Sequence, residues 1–145
     1  MKSAYEIGRE FGDLFAAYER ALKRGGFLRQ DRKDAQADWK AFARALGSEF
    51  YDEVRANNLA DTVINKPPAK LMREGLEWNR PERPLKNSVE LIEQGVCRVR
   101  NSLFHGEKFV GNAGEIRRDL VLVMEALAVL RAAKAKIPSV AKLLG

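Results

Sequence analysis

Four long stretches of the chain carry apolar residues at helical spacing, and no stretch alternates with period two for long enough to indicate a strand. The stretches cover about 3–24, 31–57, 87–106 and 115–136. Long amphipathic helices joined by short or irregular links are typical of helix bundles. The pattern therefore predicts an all-α fold, an up-and-down bundle of four to five helices.

The ends of these helices have recognisable signals. Ser3 and Glu6 form a predicted capping box, and Gly25-Gly26 stops the first helix. The third helix is expected to start at Asn87 or Ser88 and to run through the histidine at 105 to a glycine. The second is expected to start near Asp31 or Asp34 and to stop at about Asn57, and Pro138 is expected to end the fourth.

The segment between the second and third helices breaks the pattern. Four prolines between 61 and 86 exclude a long helix, although Ala69–Trp78 could form a short one. The range 64–86 has six basic and three acidic residues, a net charge of +3. Two interpretations stay open, a solvated surface loop and a basic loop beside a phosphate-binding site.

Length and composition narrow the class of protein. At 145 residues the chain fits one domain, 1–145, with one cysteine and no cluster of acidic, histidine or cysteine residues at metal-ligand spacing. The N-terminus lacks the apolar region of a signal peptide, and the longest apolar run is too short to span a bilayer. We expect a cytoplasmic protein without cofactor or membrane partner. A net charge of +6 permits an anionic partner such as nucleic acid.

A helical wheel divides the third helix into two faces. The predicted core stripe consists of Val89, Ile92, Val96, Val99 and Leu103. A second arc, centred about 130° away, consists of Glu93, Cys97, Arg100, Asn101, Phe104 and His105. We call this second arc the motif strip. A phenylalanine is a poor choice for water, so the strip is expected to have a packing partner, with Cys97 and Phe104 as candidate dimer-interface residues.

The motif strip holds groups that could cleave RNA. His105, the only histidine, could move a proton to or from a ribose hydroxyl or a leaving oxygen. The planar guanidinium of Arg100 could donate two hydrogen bonds to a phosphate and stabilise the charge of a pentacoordinate transition state. Asn101 could orient the histidine or the phosphate. Two structural alternatives stay open: His105 could simply cap the helix, and Arg100 could pair with a carboxylate on a neighbouring helix.

The string around these residues resembles a known family. Arg100-Asn101-x3-His105 at the end of a late helix is similar to the motif of the HEPN superfamily, Arg-x4–6-His, most often with Asn after Arg. The longer string from Val99 to Lys108 reads VRNSLFHGEK and resembles the version VRNxLFHGxK of Apea-like and related HEPN proteins. The detailed likeness covers about ten residues, and helix number and motif position extend it loosely over the chain.

This resemblance implies a helical bundle that dimerises through its motif helices, and a metal-independent endoribonuclease. It implies catalytic roles for Arg100 and His105 and a supporting role for Asn101. It also implies an involvement in toxin–antitoxin, phage-defence or RNA-processing systems, with a cognate antitoxin protein as a further partner. Exposed RNA strands or loops are the expected targets, since a composite cleft must reach hydroxyl and phosphate together. Basic residues expected to contact RNA are Lys66, Lys70, Arg73, Arg98 and Lys108.

Two other interpretations remain. Some HEPN proteins do not cleave RNA, so the same strip could bind RNA, a nucleotide or a partner protein without chemistry. A plain helical interaction protein with a coincidental motif is the third possibility. Neither Cys97 nor the two tryptophans, Trp39 and Trp78, require a functional role, because a free cysteine usually packs as a small hydrophobe and tryptophan anchors cores and loops.

Overall fold

The computed structural model describes residues 2–79, 83–104 and 111–145, and these form an all-α bundle. Its helices are α1 (Ala4–Arg24), α2 (Trp39–Ala56), α3 (Asp61–Asn65), α4 (88–104), α5 (Ala113–Ala133) and α6 (Pro138–Leu144). None of the helices in these ranges is long and apolar enough to cross a membrane.

The N-cap predicted for α1 at Ser3 is confirmed, and of the predicted capping box the bond from the Glu6 N–H to Ser3 is observed. The Ser3 hydroxyl accepts a hydrogen bond from the Glu6 backbone N–H at 3.1 Å and lies 3.3 Å from the Glu6 carboxylate. At the other end, the Gly25 N–H donates to the Ala21 carbonyl at 2.7 Å. The sequence signals at both ends of this helix therefore act as their chemistry requires.

The predicted start of α2 is wrong. The helix begins at Trp39, because the Asp38 carboxylate accepts from the Ala41 N–H at 3.0 Å and caps it there. The two aspartates proposed as starts lie in the preceding loop, which an isolated bridge between Leu28 and Ala37 closes. An N-cap accepts from a helical N–H that has no partner within the helix, and Asp38, which the sequence prediction did not name, is the residue that does so here.

The segment 61–86 also differs from its prediction. It begins with the short helix α3, which the periodicity did not indicate, and the short helix proposed over 69–78 is a small hairpin instead. Strands β1 (Lys70–Leu71) and β2 (Trp78–Asn79) pair antiparallel, with a 3-10 turn at Glu74–Leu76 between them. Gly75 has a φ of 68° inside this turn, a conformation that a continuing helix would not tolerate.

Helix α4 carries the motif and starts as predicted, since the Asn87 side chain accepts from the Glu90 N–H at 2.8 Å. Its second turn, Leu91–Val96, is a π-helix. Of the predicted core stripe, Ile92, Val96 and Val99 are fully buried, while Val89 and Leu103 are partly buried. The stripe is thus confirmed at its centre.

The C-terminal part holds two helices where one was predicted. Helix α5 runs over Ala113–Ala133, and the expected stop residue Pro138 opens α6. Proline suits the first position of a helix because its missing N–H has no intrahelical partner there. The buried residues of α5 confirm that its centre lies in the core: Leu122, Val123, Ala126, Leu127, Val129 and Leu130.

An aromatic cluster joins α1 and α2 beside the motif helix. Trp39 stacks on Phe15 with ring centroids 4.6 Å apart, and Phe42 contacts both Trp39 and Tyr18. The buried Tyr18 hydroxyl donates to the Leu130 carbonyl of α5. This cluster fixes the helix pair against which α4 presents its motif strip, and it confirms Trp39 as a core anchor.

Candidate functional site

Arg100 lies at the seam between α4 and α1. Its guanidinium carbon is 5.2 Å from the centroid of the Phe15 ring, and its Nη2 is 3.8 Å from the Glu19 carboxylate. The side chains of Arg100 and Glu19 are 32% and 36% exposed, so this ion pair is in contact with water. The structural alternative of a carboxylate partner on a neighbouring helix is therefore observed.

Each of these two contacts is weak when taken singly. An ion pair this exposed contributes about 0.2–1 kcal/mol, and a cation–π contact at such a site contributes about 0.5–1 kcal/mol. A phosphate forming two charge-assisted hydrogen bonds with the guanidinium could compete with Glu19 for it. The Phe15 ring would meanwhile keep the arginine at the surface of the seam. Arg100 is thus oriented by contacts within its own chain, and its side chain remains partly exposed.

The rest of the motif strip is only partly described. Asn101 is exposed on the turn that contains Arg100, and Arg98 is half-buried. The next residue, Ser102, is buried, so the exposed and the buried side of α4 are occupied by neighbouring residues of one turn. His105, Lys108 and the side chain of Phe104 lie outside the described residues. The described part of the site is therefore the arginine and the asparagine that precede the histidine.

The first half of the strip borders a cleft in its own chain. Glu93 and Cys97 line a cavity of about 550 Å³ together with Trp39 and residues of the 29–44 region. Cys97 also packs against the core, and its burial, with smaller contributions from Glu93 and Glu19, raises the pKa of its thiol to about 12. A thiol with so high a pKa is protonated near neutral pH and is a poor nucleophile.

The basic residues proposed to bind RNA, as far as the structure describes them, lie on different elements. Lys70 belongs to the hairpin, as does Arg73, whose side chain is 95% exposed and 3.8 Å from Glu74. Lys66 lies elsewhere, at the end of α3, and lines a cleft with Arg117 and further residues of α5. The fold thus brings Lys66 together with two other cations, Arg117 and Arg118, in one cavity.

Three residues near these surfaces were not anticipated from the sequence. Glu19 is the partner of Arg100, and no local pattern on α1 indicates that its acid would face the motif helix. Arg117 and Arg118 form an adjacent basic pair in the second turn of α5. That pair is a visible signal, since neighbouring arginines at the start of a helix place charge on two adjacent faces.

Among residues 2–79, 83–104 and 111–145, no three acidic, histidine or cysteine side chains are grouped so as to hold a metal ion. Comparisons with protein-family models, with curated proteins and with solved structures found no significant match to this chain.

Proposed function

We propose that the protein is a metal-independent endoribonuclease of the HEPN type, which acts as a homodimer on single-stranded or loop RNA in a toxin or phage-defence role. The observation that supports it most is the placement of Arg100. Its guanidinium reaches the surface at the α1–α4 seam, next to the exposed Asn101, on the last turns of a bundle helix that lead to His105.

In this mechanism His105 takes the proton of a ribose 2′-hydroxyl, and the 2′-oxygen attacks the adjacent phosphorus. The bond from phosphorus to the 5′-oxygen breaks, the proton taken up by His105 passes to the 5′-oxygen, and a 2′,3′-cyclic phosphate remains. Arg100 neutralises the charge on the phosphoryl oxygens of the pentacoordinate transition state. Asn101 donates from its amide to the phosphate or orients the histidine.

Arg100 and His105 are about 140° apart around an ideal helix. One chain therefore presents them on either side of the strip, with Asn101 between them. A second copy related by a two-fold axis brings its own arginine and histidine to the same cleft. On this basis the active form is the dimer, with the ends of the two strips that carry the exposed Asn101 facing one another.

The second candidate function is RNA binding without cleavage. It is favoured by the engagement of Arg100 with Glu19 and Phe15 inside one chain, which gives the arginine a structural role. In that case the motif strip would recognise RNA or a partner protein, and no 2′,3′-cyclic phosphate would form.

An RNase assay in EDTA separates the two functions. The wild type is compared with His105→Ala, Arg100→Ala and the control Arg20→Ala, which removes an exposed arginine from α1 without touching the strip. We expect cyclic-phosphate products from the wild type and the control, and a rate loss of about 100-fold or more in the two motif variants. Intact RNA with all four proteins, or equal cleavage by all four, would exclude the endoribonuclease.

A further inference from the structure

A second cleft lies between α3 and the first turns of α5, with a volume of about 470 Å³ and a wide opening to solvent. Its lining residues are Asp61, Thr62, Asn65, Lys66, Gly114, Arg117, Arg118 and Val121. Three of them are cations and one is a carboxylate. The lining therefore has a positive net charge, and its shallow shape suits a chain lying along the surface better than an enclosed small molecule.

The two walls of this cleft are fixed to one another. The Glu125 carboxylate of α5 accepts hydrogen bonds from the backbone N–H groups of Thr62 at 3.3 Å and Val63 at 2.8 Å. At the other end of α3, the Arg118 guanidinium donates to the Lys66 carbonyl at 2.9 Å. These contacts between residues far apart in sequence preset the spacing of the cations, so a ligand need not order the walls.

The cleft also adjoins the motif helix. Helix α3 packs against α4, and the contact is so close that a Cβ atom at Gly95 would lie 2.8 Å from the Val63 Cγ1 atom. Helix α4 ends at Phe104 and α5 begins at Ala113, with Asn112 as its N-cap. The basic wall on α5 therefore follows the motif directly in the chain, and the wall on α3 contacts the helix that carries it.

From this arrangement we propose that the α3–α5 cleft binds the phosphodiester backbone of the single-stranded RNA on which the motif strip acts. The choice of RNA as the ligand rests on the proposed function, in which RNA is the substrate. The exposed Lys66 and Arg117 contact successive phosphates, and Arg118 holds the wall from which Lys66 projects. Asp61 opposes the same phosphates and limits the affinity.

Recognition of this kind is independent of base sequence and sensitive to salt. Each phosphate neutralised on a single strand contributes about 0.7 to the slope of log affinity against log salt. Two contacts at physiological salt correspond to roughly a tenfold gain in affinity by the same relation. The cleft would thereby hold a segment of the strand while the strip engages the scissile phosphate.

The test measures binding by fluorescence anisotropy with a short, labelled, 2′-O-methylated oligoribonucleotide, which lacks the attacking hydroxyl and stays intact. The proteins are the wild type, the double variant Lys66→Ala/Arg117→Ala, and the matched control Arg20→Ala/Lys142→Ala. The control removes the same charge from exposed positions on α1 and α6, neither of which lines the cleft. Circular dichroism spectra establish that all three are folded.

We expect binding of the double variant to be about tenfold weaker than that of the control, with a salt slope smaller by about 1.4. Asp61→Asn should bind a few-fold more tightly than the wild type. Inorganic phosphate should displace the oligonucleotide no better than chloride at equal ionic strength, since a strand provides several linked phosphates. If phosphate displaces it more effectively, the site is one for free phosphate and the proposal is wrong.

Binding and cleavage fail separately in this design. If the protein binds the methylated strand through Lys66 and Arg117 but does not cut natural RNA, the cleft proposal holds and the proposed endoribonuclease activity is wrong. If the protein cuts RNA but the double variant binds the methylated strand as tightly as the control does, the endoribonuclease proposal holds and the cleft proposal is wrong. Absence of any measurable binding would overturn the cleft proposal.

Discussion

The contact between α3 and the motif helix can be tested by adding one methyl group. A Cβ atom at Gly95 would lie 2.8 Å from Val63 Cγ1 and 3.5 Å from Leu85 Cδ1. Val63 is fully buried and has little room to move. Overpacking a core in this way costs about 1–3 kcal/mol, whereas alanine gains about 1 kcal/mol over glycine in a helix. We therefore expect Gly95→Ala to lower the free energy of unfolding by about 1 kcal/mol.

A double-mutant cycle identifies the cause. Val63→Ala removes two buried methyl groups and should cost about 2 kcal/mol by itself. In the double variant the new methyl at position 95 occupies part of the space left at position 63. The two substitutions should then be coupled by about 1 kcal/mol in the favourable direction, so that Gly95→Ala is neutral or stabilising in the Val63→Ala background.

Denaturation by urea measures each corner of the cycle, provided that the m-values agree. Gly12→Ala is the matched control, because Gly12 lies inside α1 and a Cβ atom added there would have no atom within 4 Å outside its own helical turn. It should gain up to about 1 kcal/mol. Additive effects at positions 63 and 95, within about 0.4 kcal/mol, would refute the close approach of α3 to the motif helix.

Two further predictions concern the partly buried hydrogen bonds of Glu125 and the burial of the Cys97 thiol. Glu125→Ala leaves two N–H groups of α3 without their carboxylate and should cost about 2 kcal/mol of stability by denaturant titration, while Glu125→Gln, which keeps one acceptor oxygen, should cost about half as much. An equal loss in both would contradict the capping role. The pKa of Cys97, raised from 9.0 to about 12, keeps the thiol protonated until strongly alkaline pH. Alkylation by iodoacetamide near neutral pH should therefore be slow in the native protein and fast in denaturant, as mass spectrometry would show; rapid native labelling would contradict the burial of the thiol.

The parts of the fold that follow from the sequence are those fixed by local chemistry. The caps at Ser3 and Asn87 each satisfy a helical N–H group within the same turn, so no distant residue decides them. The core stripe of α4 also follows, because the spacing of apolar residues determines which face is buried. Its π-helical turn leaves the central members Ile92 and Val96 in the core.

The errors arise where a distant contact decides the local structure. Helix α3 has five residues, too few for a periodic signal, and its first N–H groups are satisfied by Glu125, over sixty residues away. The N-terminus of α6 is similar, since Pro138 is equally compatible with the end of one helix and the start of another. Its neighbour Ser139 donates to the Gly25 carbonyl at 2.7 Å, a contact with the end of α1 that no local pattern reveals.

The candidate site divides in the same way. The sequence predicts a helix that carries Arg100 and Asn101 next to one another, and both residues lie in α4. The sequence does not indicate which helix packs beside Arg100, so its contacts with Glu19 and Phe15 become known only from the packing of the bundle. Lys66 is a similar case. In the sequence it is one of several basic residues in an irregular segment, and only the packing of α5 places Arg117 in the same cleft.

Helix α3 connects the two surfaces to which function is assigned above. It contacts the motif helix through Val63 at Gly95, and its N–H groups and the Lys66 carbonyl attach it to α5. A displacement of this five-residue helix would therefore affect both surfaces. For that reason Glu125→Ala, which loosens α3 without removing any cation, should weaken binding of the methylated strand, whereas the control pair on α1 and α6 should not. If binding is unchanged in Glu125→Ala despite the loss of stability, the cations act individually and the preset spacing of the cleft has no role in affinity.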